Sequence, residues 1–126
     1  MNQFYQPKIL IVDDDEVMCK LLSEQLQDEK FITEFVLDGS EAVEKVKEAE
    51  YGLVILNQNI MDMNGDKALA EIKKYDSSIP VIMLSAQSDP AIIVKCIKLG
   101  AADYFTKPYE YDDILDSIIK YLRIKK

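Results

Sequence analysis

The sequence predicts an α/β domain of three layers, with helices covering both faces of a five-stranded parallel sheet. Short continuous aliphatic runs alternate with segments whose apolar residues recur at helical spacing, and the connections between them are short. Right-handed crossovers follow from that alternation. The central run is Tyr51-Gly52-Leu53-Val54-Ile55-Leu56-Asn57. Four consecutive aliphatic residues, two of them β-branched, read as a strand buried on both faces in the middle of a parallel sheet. The carboxyl end of such a strand opens onto the crevice where α/β sheets bind ligands, so Asn57 is the first candidate functional residue.

Each element has its own signal. Lys8-Ile9-Leu10-Ile11-Val12 is a second central strand, bounded by Pro7 and by Asp13-Asp14-Asp15. From Asp15 the period changes, with Val17, Met18, Leu21, Leu22 and Leu26 at helical spacing; Asp15 is placed to cap that helix and Glu16 to favour its first turn. Phe31 to Val36 has mixed faces and belongs nearer a sheet edge. Asp38-Gly39-Ser40 leads into a short helix carrying Ala42, Val43 and Val46. Met63-Asn64-Gly65-Asp66 reads as a turn before a helix with Ala68, Leu69 and Ile72. Pro80 to Ser85 is the fourth strand, and Asp89-Pro90 supplies an N-cap with proline at the first helical position. Gly100 stops that helix after Leu99. Asp103 to Thr106 is the fifth strand, ending at Lys107-Pro108. The last helix carries Ile114, Leu115, Ile118, Ile119 and Leu122 on one stripe.

Composition narrows the function classes. The 126 residues fit one domain with one core, and 48% hydrophobic with 30% charged residues is ordinary for a globular protein. No apolar run approaches the ~20 residues needed to span a bilayer. Met1 to Pro7 has neither a basic region nor a long apolar one, so no signal peptide is expected, and the location expected is the cytoplasm. A net charge of −8 repels phosphate backbones, so no nucleic acid is expected as a partner. Arg123, Lys125 and Lys126 read as a solvated helix terminus. There is no histidine and no CxxC pair, which removes zinc and histidine-dependent catalysis. Cys19 and Cys96 are expected to be small apolar packers.

Carboxyl ends of parallel strands share one edge of the sheet. Asp13 and Asp14 follow the first strand, Asn57 the third, Ser85 the fourth and Lys107 the fifth. Any one of these alone would be an ordinary strand-end cap; five together are better read as a site. Adjacent carboxylates with an amide oxygen suit a hard cation that keeps its waters, above all Mg²⁺. A hydroxyl and an ammonium beside them are groups that hold a phosphoryl oxygen. Positioning and charge neutralisation would do the catalysis at such a phosphoryl-transfer site.

Four segments carry a more specific signal: Ile9 to Asp15; Leu53 to Asn57 with Met63-Asn64-Gly65; Pro80 to Ala86; and Gly100 to Pro108. Together they resemble the receiver domains of two-component response regulators, over roughly residues 8–123 of a single domain spanning 1–126. The resemblance implies a flavodoxin-like doubly wound (βα)5 fold with strand order 2-1-3-4-5. It also implies that Asp14 ligates Mg²⁺ directly, Asp13 through water, and Asn59 through its backbone carbonyl, with residue 57 completing the metal set. Ser85 would take a phosphoryl oxygen, Lys107 would pair with the phosphoacceptor, and Lys107-Pro108 would be cis. Tyr104 matches the aromatic that swings inward when Ser85 moves; an ordinary half-buried strand aromatic is an equal alternative. Implied partners are a histidine kinase or phosphotransfer protein upstream and a protein target downstream. The module is then a signalling protein rather than an enzyme.

The family's phosphoacceptor is an aspartate, and here the position holds Asn57. An amide cannot act as the carboxylate nucleophile that forms an acyl phosphate, so phosphorylation at this residue is not expected. The near-isosteric change also removes one of three clustered negative charges, relieving at most a few kcal/mol for pairs ~4 Å apart at an effective dielectric of ~20. Mg²⁺ is therefore expected to bind weakly. Two explanations stay open: a natural receiver that works by phosphorylation-independent binding, or an ordinary phospho-switch with an engineered acceptor. Met61, where the family usually has proline, and Gly52, where an acidic residue is common, favour the first. A Mg²⁺-dependent phosphohydrolase of similar topology is a remote third, for which no cap insertion is visible.

Ala91 to Leu99 is apolar except at Lys95 and Lys98. The sheet can cover one face, so a partner or a second copy is expected over the rest, with Ile92, Ile93 and Ile97 as interface residues. The family uses this face, with the fifth strand and last helix, for output and dimerisation. Because the sequence stops soon after the last helix, a module standing alone is the expectation.

Overall fold

The computed structural model describes residues 7–122. In chain order the elements are β1 (Lys8–Val12), α1 (Glu16–Asp28), β2 (Ile32–Val36), α2 (Gly39–Glu48), β3 (Leu53–Leu56), α3 (Gly65–Tyr75), β4 (Val81–Ser85), α4 (Pro90–Lys98), β5 (Asp103–Thr106) and α5 (Tyr111–Tyr121). The strands form one parallel sheet in the order β2-β1-β3-β4-β5. Both the alternation and the strand order agree with the sequence reading, and β2 lies at an edge as its mixed faces require.

The pleat sorts the aliphatic runs into two cores. Leu10, Val12, Val54, Leu56, Val81 and Met83 point to one face, which α2, α3 and α4 cover. Ile9, Ile11, Leu53, Ile55, Ile82 and Leu84 point to the other, under α1 and α5. Every residue of β3 and β4 is buried, as expected for central parallel strands. Fully burying each Leu or Ile contributes roughly 1.5–3 kcal/mol, so these two strands are the thermodynamic centre of the domain.

The helix starts follow their caps. Asp15 accepts from the Met18 amide at 3.1 Å, Asp38 from Glu41 at 2.7 Å and Asp89 from Ala91 at 2.9 Å. Gly100 takes φ of +109°, the left-handed stop that glycine allows. The Lys107-Pro108 bond is cis.

Three expectations need correction. α3 begins at Gly65, so the turn before it is shorter than Met63 to Asp66. On α1 the buried stripe is Cys19, Leu22 and Leu26, while Val17 and Leu21 are exposed one residue round the helix. On α5 Ile119 is exposed, and the inward position belongs to Ser117, which donates to Asp103 Oδ2 at 3.1 Å. Hydrophobicity alone does not distinguish neighbouring stripes about 100° apart. Cys19 and Cys96 are buried free thiols, as expected. The terminal basic cluster and the leading segment through Gln6 lie outside the described residues.

Candidate functional site

Asp13 follows β1 directly and is buried, with its side chain 2% exposed. Its Oδ1 accepts from the Asp15 backbone amide at 3.0 Å and from Asn57 Nδ2 at 3.3 Å. Its Oδ2 takes the Lys107 ammonium at 2.7 Å. These donors come from the ends of three strands, which the parallel topology places at one edge of the sheet. Asn57 follows β3 and is also buried. Its amide nitrogen donates to the Asn59 carbonyl at 2.9 Å, and its Oδ1 accepts from the Asn59 amide at 3.4 Å.

Asp14, next to Asp13, is exposed. Ser85 is fully buried at the end of β4, where its hydroxyl accepts from the Gln87 amide at 3.0 Å. Tyr104 on β5 donates to the Gln87 carbonyl at 2.7 Å, so one loop residue ties the Ser85 hydroxyl to the tyrosine. The half-buried Tyr104 ring packs on the α4 side of the sheet, and burial pushes its phenol above the ordinary range.

Hydrogen bonds join Asp13, Asn57, Asn59 and Lys107 into one cluster. The side chains of Ser85 and Tyr104 bond to Gln87, and Asp14 is exposed beside Asp13. The resemblance implies that Lys107 pairs with residue 57, but the contact its ammonium makes is with Asp13. The physical reason is that a neutral amide attracts an ammonium less than the buried carboxylate beside it.

Residues 9–119 match the model of the response regulator receiver domain family. The chain belongs to that family. Such receivers are signalling modules of two-component systems. Chemotaxis protein CheY of Bacillus subtilis is 35% identical over 116 residues, covering 91% of this chain and 97% of that protein. Transcriptional regulatory protein ZraR of Klebsiella oxytoca is 36% identical over 109 residues, covering 86% of this chain. This receiver corresponds to only 25% of the length of ZraR. Among solved structures, the CheY-like receiver domain protein of Methanospirillum hungatei superposes with a TM-score of 0.89 at 25% identity, covering 92% of this chain and 93% of that one. TrrA of Thermotoga maritima, solved in complex with Mg²⁺-BeF, gives a TM-score of 0.85 at 29% identity, covering 93% and 100%. No helix among the described residues is long and apolar enough to cross a membrane.

A hard divalent cation needs oxygen lone pairs pointing inward. As arranged, this receiver's residues do not fit one. The hydrogens of the Asn57 amide point at the Asn59 carbonyl, expected as a ligand, and at Asp13 Oδ1, expected to act through water, and Lys107 holds the other oxygen of Asp13. Among the described residues no three acidic, thiol or imidazole side chains converge as metal ligands do.

A second polar cluster escaped the sequence reading. Gln58, 4% exposed, accepts from the Asp66 amide at 2.8 Å and donates to Asp66 Oδ1 at 3.1 Å. Asp66 Oδ2 in turn meets Lys95 of α4 at 2.7 Å. Burial raises the Asp66 carboxyl, but the hydrogen bonds from Lys95 and Gln58 outweigh it and hold it below its ordinary value. The residue after Asn57 is thus tied through α3 to α4. Gln58 next to a strand end and an acid at the first turn of α3 were the available signals, but nothing in their spacing pairs them with Lys95.

Proposed function

We propose that this receiver acts by binding proteins without being phosphorylated at Asn57, the residue that stands at the phosphoacceptor position. The observation that supports the reading is the hydrogen-bonded amide of Asn57 beside the buried Asp13 and Lys107. Its nitrogen has no lone pair free to attack phosphorus, and its oxygen carries no carboxylate charge. In this reading Asp13, Asp14 and Asn59 keep the place of the family's metal site, with Mg²⁺ only a weak ligand. Ser85 and Lys107 keep the place of the groups that would hold a phosphoryl oxygen, and Ser85 with Tyr104 the place of the switch.

The partners proposed are a histidine kinase or phosphotransfer protein and a downstream protein target, met in the cytoplasm through α4, β5 and α5. The chain itself covers little of α4. Cys96 is its one buried residue, Ile92 and Ile93 are half-buried, and Val94 and Ile97 are 50% and 46% exposed. A thick local core is therefore not what makes this helix apolar, which favours a docking role for Ile92, Ile93 and Ile97. The module is a switch or adaptor and not a turnover enzyme.

The test offers wild type and Asn57→Asp a small phosphodonor with Mg²⁺ and reads the mass of the intact protein. The wild type is expected to stay unmodified and the variant to gain one phosphoryl group. A phosphorylated wild type would end the reading, and an inert variant would mean that more than the acceptor differs. Solution scattering on wild type and Ile93→Glu then reads the α4 face. A monomer whose partner binding is unchanged by the substitution removes that surface from the proposal.

A further inference from the structure

We infer that the side-chain amide of Asn57 takes the place of a cation, so that this receiver site is complete without metal. The inference draws on the proposed reading only for the position of residue 57; the hydrogen bonds stand independently of it.

The network fixes which end of the amide is nitrogen. With Nδ2 on the Asn59 carbonyl and Asp13 Oδ1, and Oδ1 on the Asn59 amide, every donor meets an acceptor. Turning the amide over would set Oδ1 against two acceptor oxygens and Nδ2 against an N–H. The two oxygens that the amide hydrogens engage belong to residues that the resemblance implies as metal-site groups, Asn59 through its carbonyl and Asp13 through water. The Asp13 carboxylate is meanwhile balanced by Lys107 at 2.7 Å with its other oxygen. The charge of Asp13 and the hydrogen bonds of Asn57 are thus satisfied where both side chains are buried, while Asp14 stands exposed beside them. A cation reaching Asp13 Oδ1 or the Asn59 carbonyl must compete with the amide hydrogens already pointed at them.

This differs from the simpler idea that Asn57 is only a poorer ligand than aspartate. If the amide were a weak ligand, removing it would weaken metal binding further. If it occupies the site, removing it frees two oxygens and strengthens binding. Calorimetric titration with MgCl₂ of wild type, Asn57→Ala and Asn57→Asp separates the two. The expected order of affinity is Asn57→Asp above Asn57→Ala above wild type, with the wild type roughly tenfold or more below Asn57→Asp. Wild type equal to or tighter than Asn57→Ala overturns the inference.

Should either variant fail to fold, NMR on the ¹⁵N-labelled wild type decides alone. The Asn57 side-chain NH₂ pair is expected to stay unmoved through millimolar Mg²⁺ and to escape selective broadening by Mn²⁺. Saturable movement of that pair with Mg²⁺, or its selective broadening by Mn²⁺, overturns the inference. Neither result depends on whether the chain is phosphorylated, so this inference and the signalling reading fail separately.

Discussion

The ammonium of Lys107 lies 2.7 Å from Asp13 Oδ2, across 94 residues of chain. This ion pair joins the end of β5 to the end of β1, with the carboxylate buried and the lysine 25% exposed. Truncation to Lys107→Met leaves the carboxylate with the hydrogen bonds from Asp15 and Asn57 alone. The expected cost is about 1–3 kcal/mol at neutral pH, read as a lower urea midpoint with unchanged slope. An unchanged midpoint would show that the contact contributes nothing.

Asn57→Asp replaces a donor to Asp13 with a second carboxylate. In metal-free buffer with EDTA the variant should unfold at lower urea than wild type. At ~4 Å and an effective dielectric of ~20 the repulsion is at most a few kcal/mol, partly offset by Lys107. Greater stability of the metal-free variant would contradict the hydrogen-bond assignment.

Gly65 is held by a close approach of backbone. A Cβ there would lie 2.2 Å from the Asn57 carbonyl oxygen and 2.7 Å from Gln58 Cα. Neither is the movable end of a side chain, so Gly65→Ala must push α3 away from the end of β3. The expected loss is about 2 kcal/mol or more, with chemical-shift changes concentrated at residues 57–66. A variant as stable as wild type would mean that this loop gives way freely.

Tyr51, almost fully buried, donates to Glu34 Oε1 at 2.6 Å, and Lys8 meets the other oxygen at 3.1 Å. The tyrosine's hydrogen bond is the main reason the Glu34 carboxyl sits below its ordinary value. A depressed folded-state value stabilises above the unfolded pKa and is lost as pH falls through the folded one. Tyr51→Phe should therefore cost about 1 kcal/mol at neutral pH and progressively less below the ordinary carboxylate range. Melting curves across pH 3–7 in ~0.1 M salt would read this, and a difference that is flat with pH would remove Glu34 from the account.

Lys95→Met removes the α4 partner of Asp66. Without that hydrogen bond, burial should move the Asp66 carboxyl upward, as a carboxylate ¹³C titration would show. Amide exchange in α4 should also quicken if this pair holds the helix against α3. Neither change would leave the Gln58 cluster a feature of α3 alone.

Much of this protein was legible in its residue order. Unbroken aliphatic runs identified β1, β3 and β4 because a strand buried on both faces has no room for polar residues. The caps at Asp15 and Asp89 and the stop at Gly100 were readable because each acts within a few residues of itself. That Asp13, Asn57 and Lys107 lie at one edge was legible, because parallel strands put their carboxyl ends on one side.

What the order of residues could not supply was pairing. Whether Lys107 faces residue 57 or Asp13 depends on competition between an amide and a carboxylate a few ångströms apart, which is decided by three-dimensional distance and burial. The tie from Gln58 through Asp66 to Lys95 has the same character, joining three elements with no common spacing. Helix stripes such as Val17 and Leu21 went the same way, since the side that faces the sheet is chosen by packing against neighbours. Local chemistry set the elements and their order, while contacts between distant segments decided which polar groups touch, because hydrogen bonds act only at contact distance.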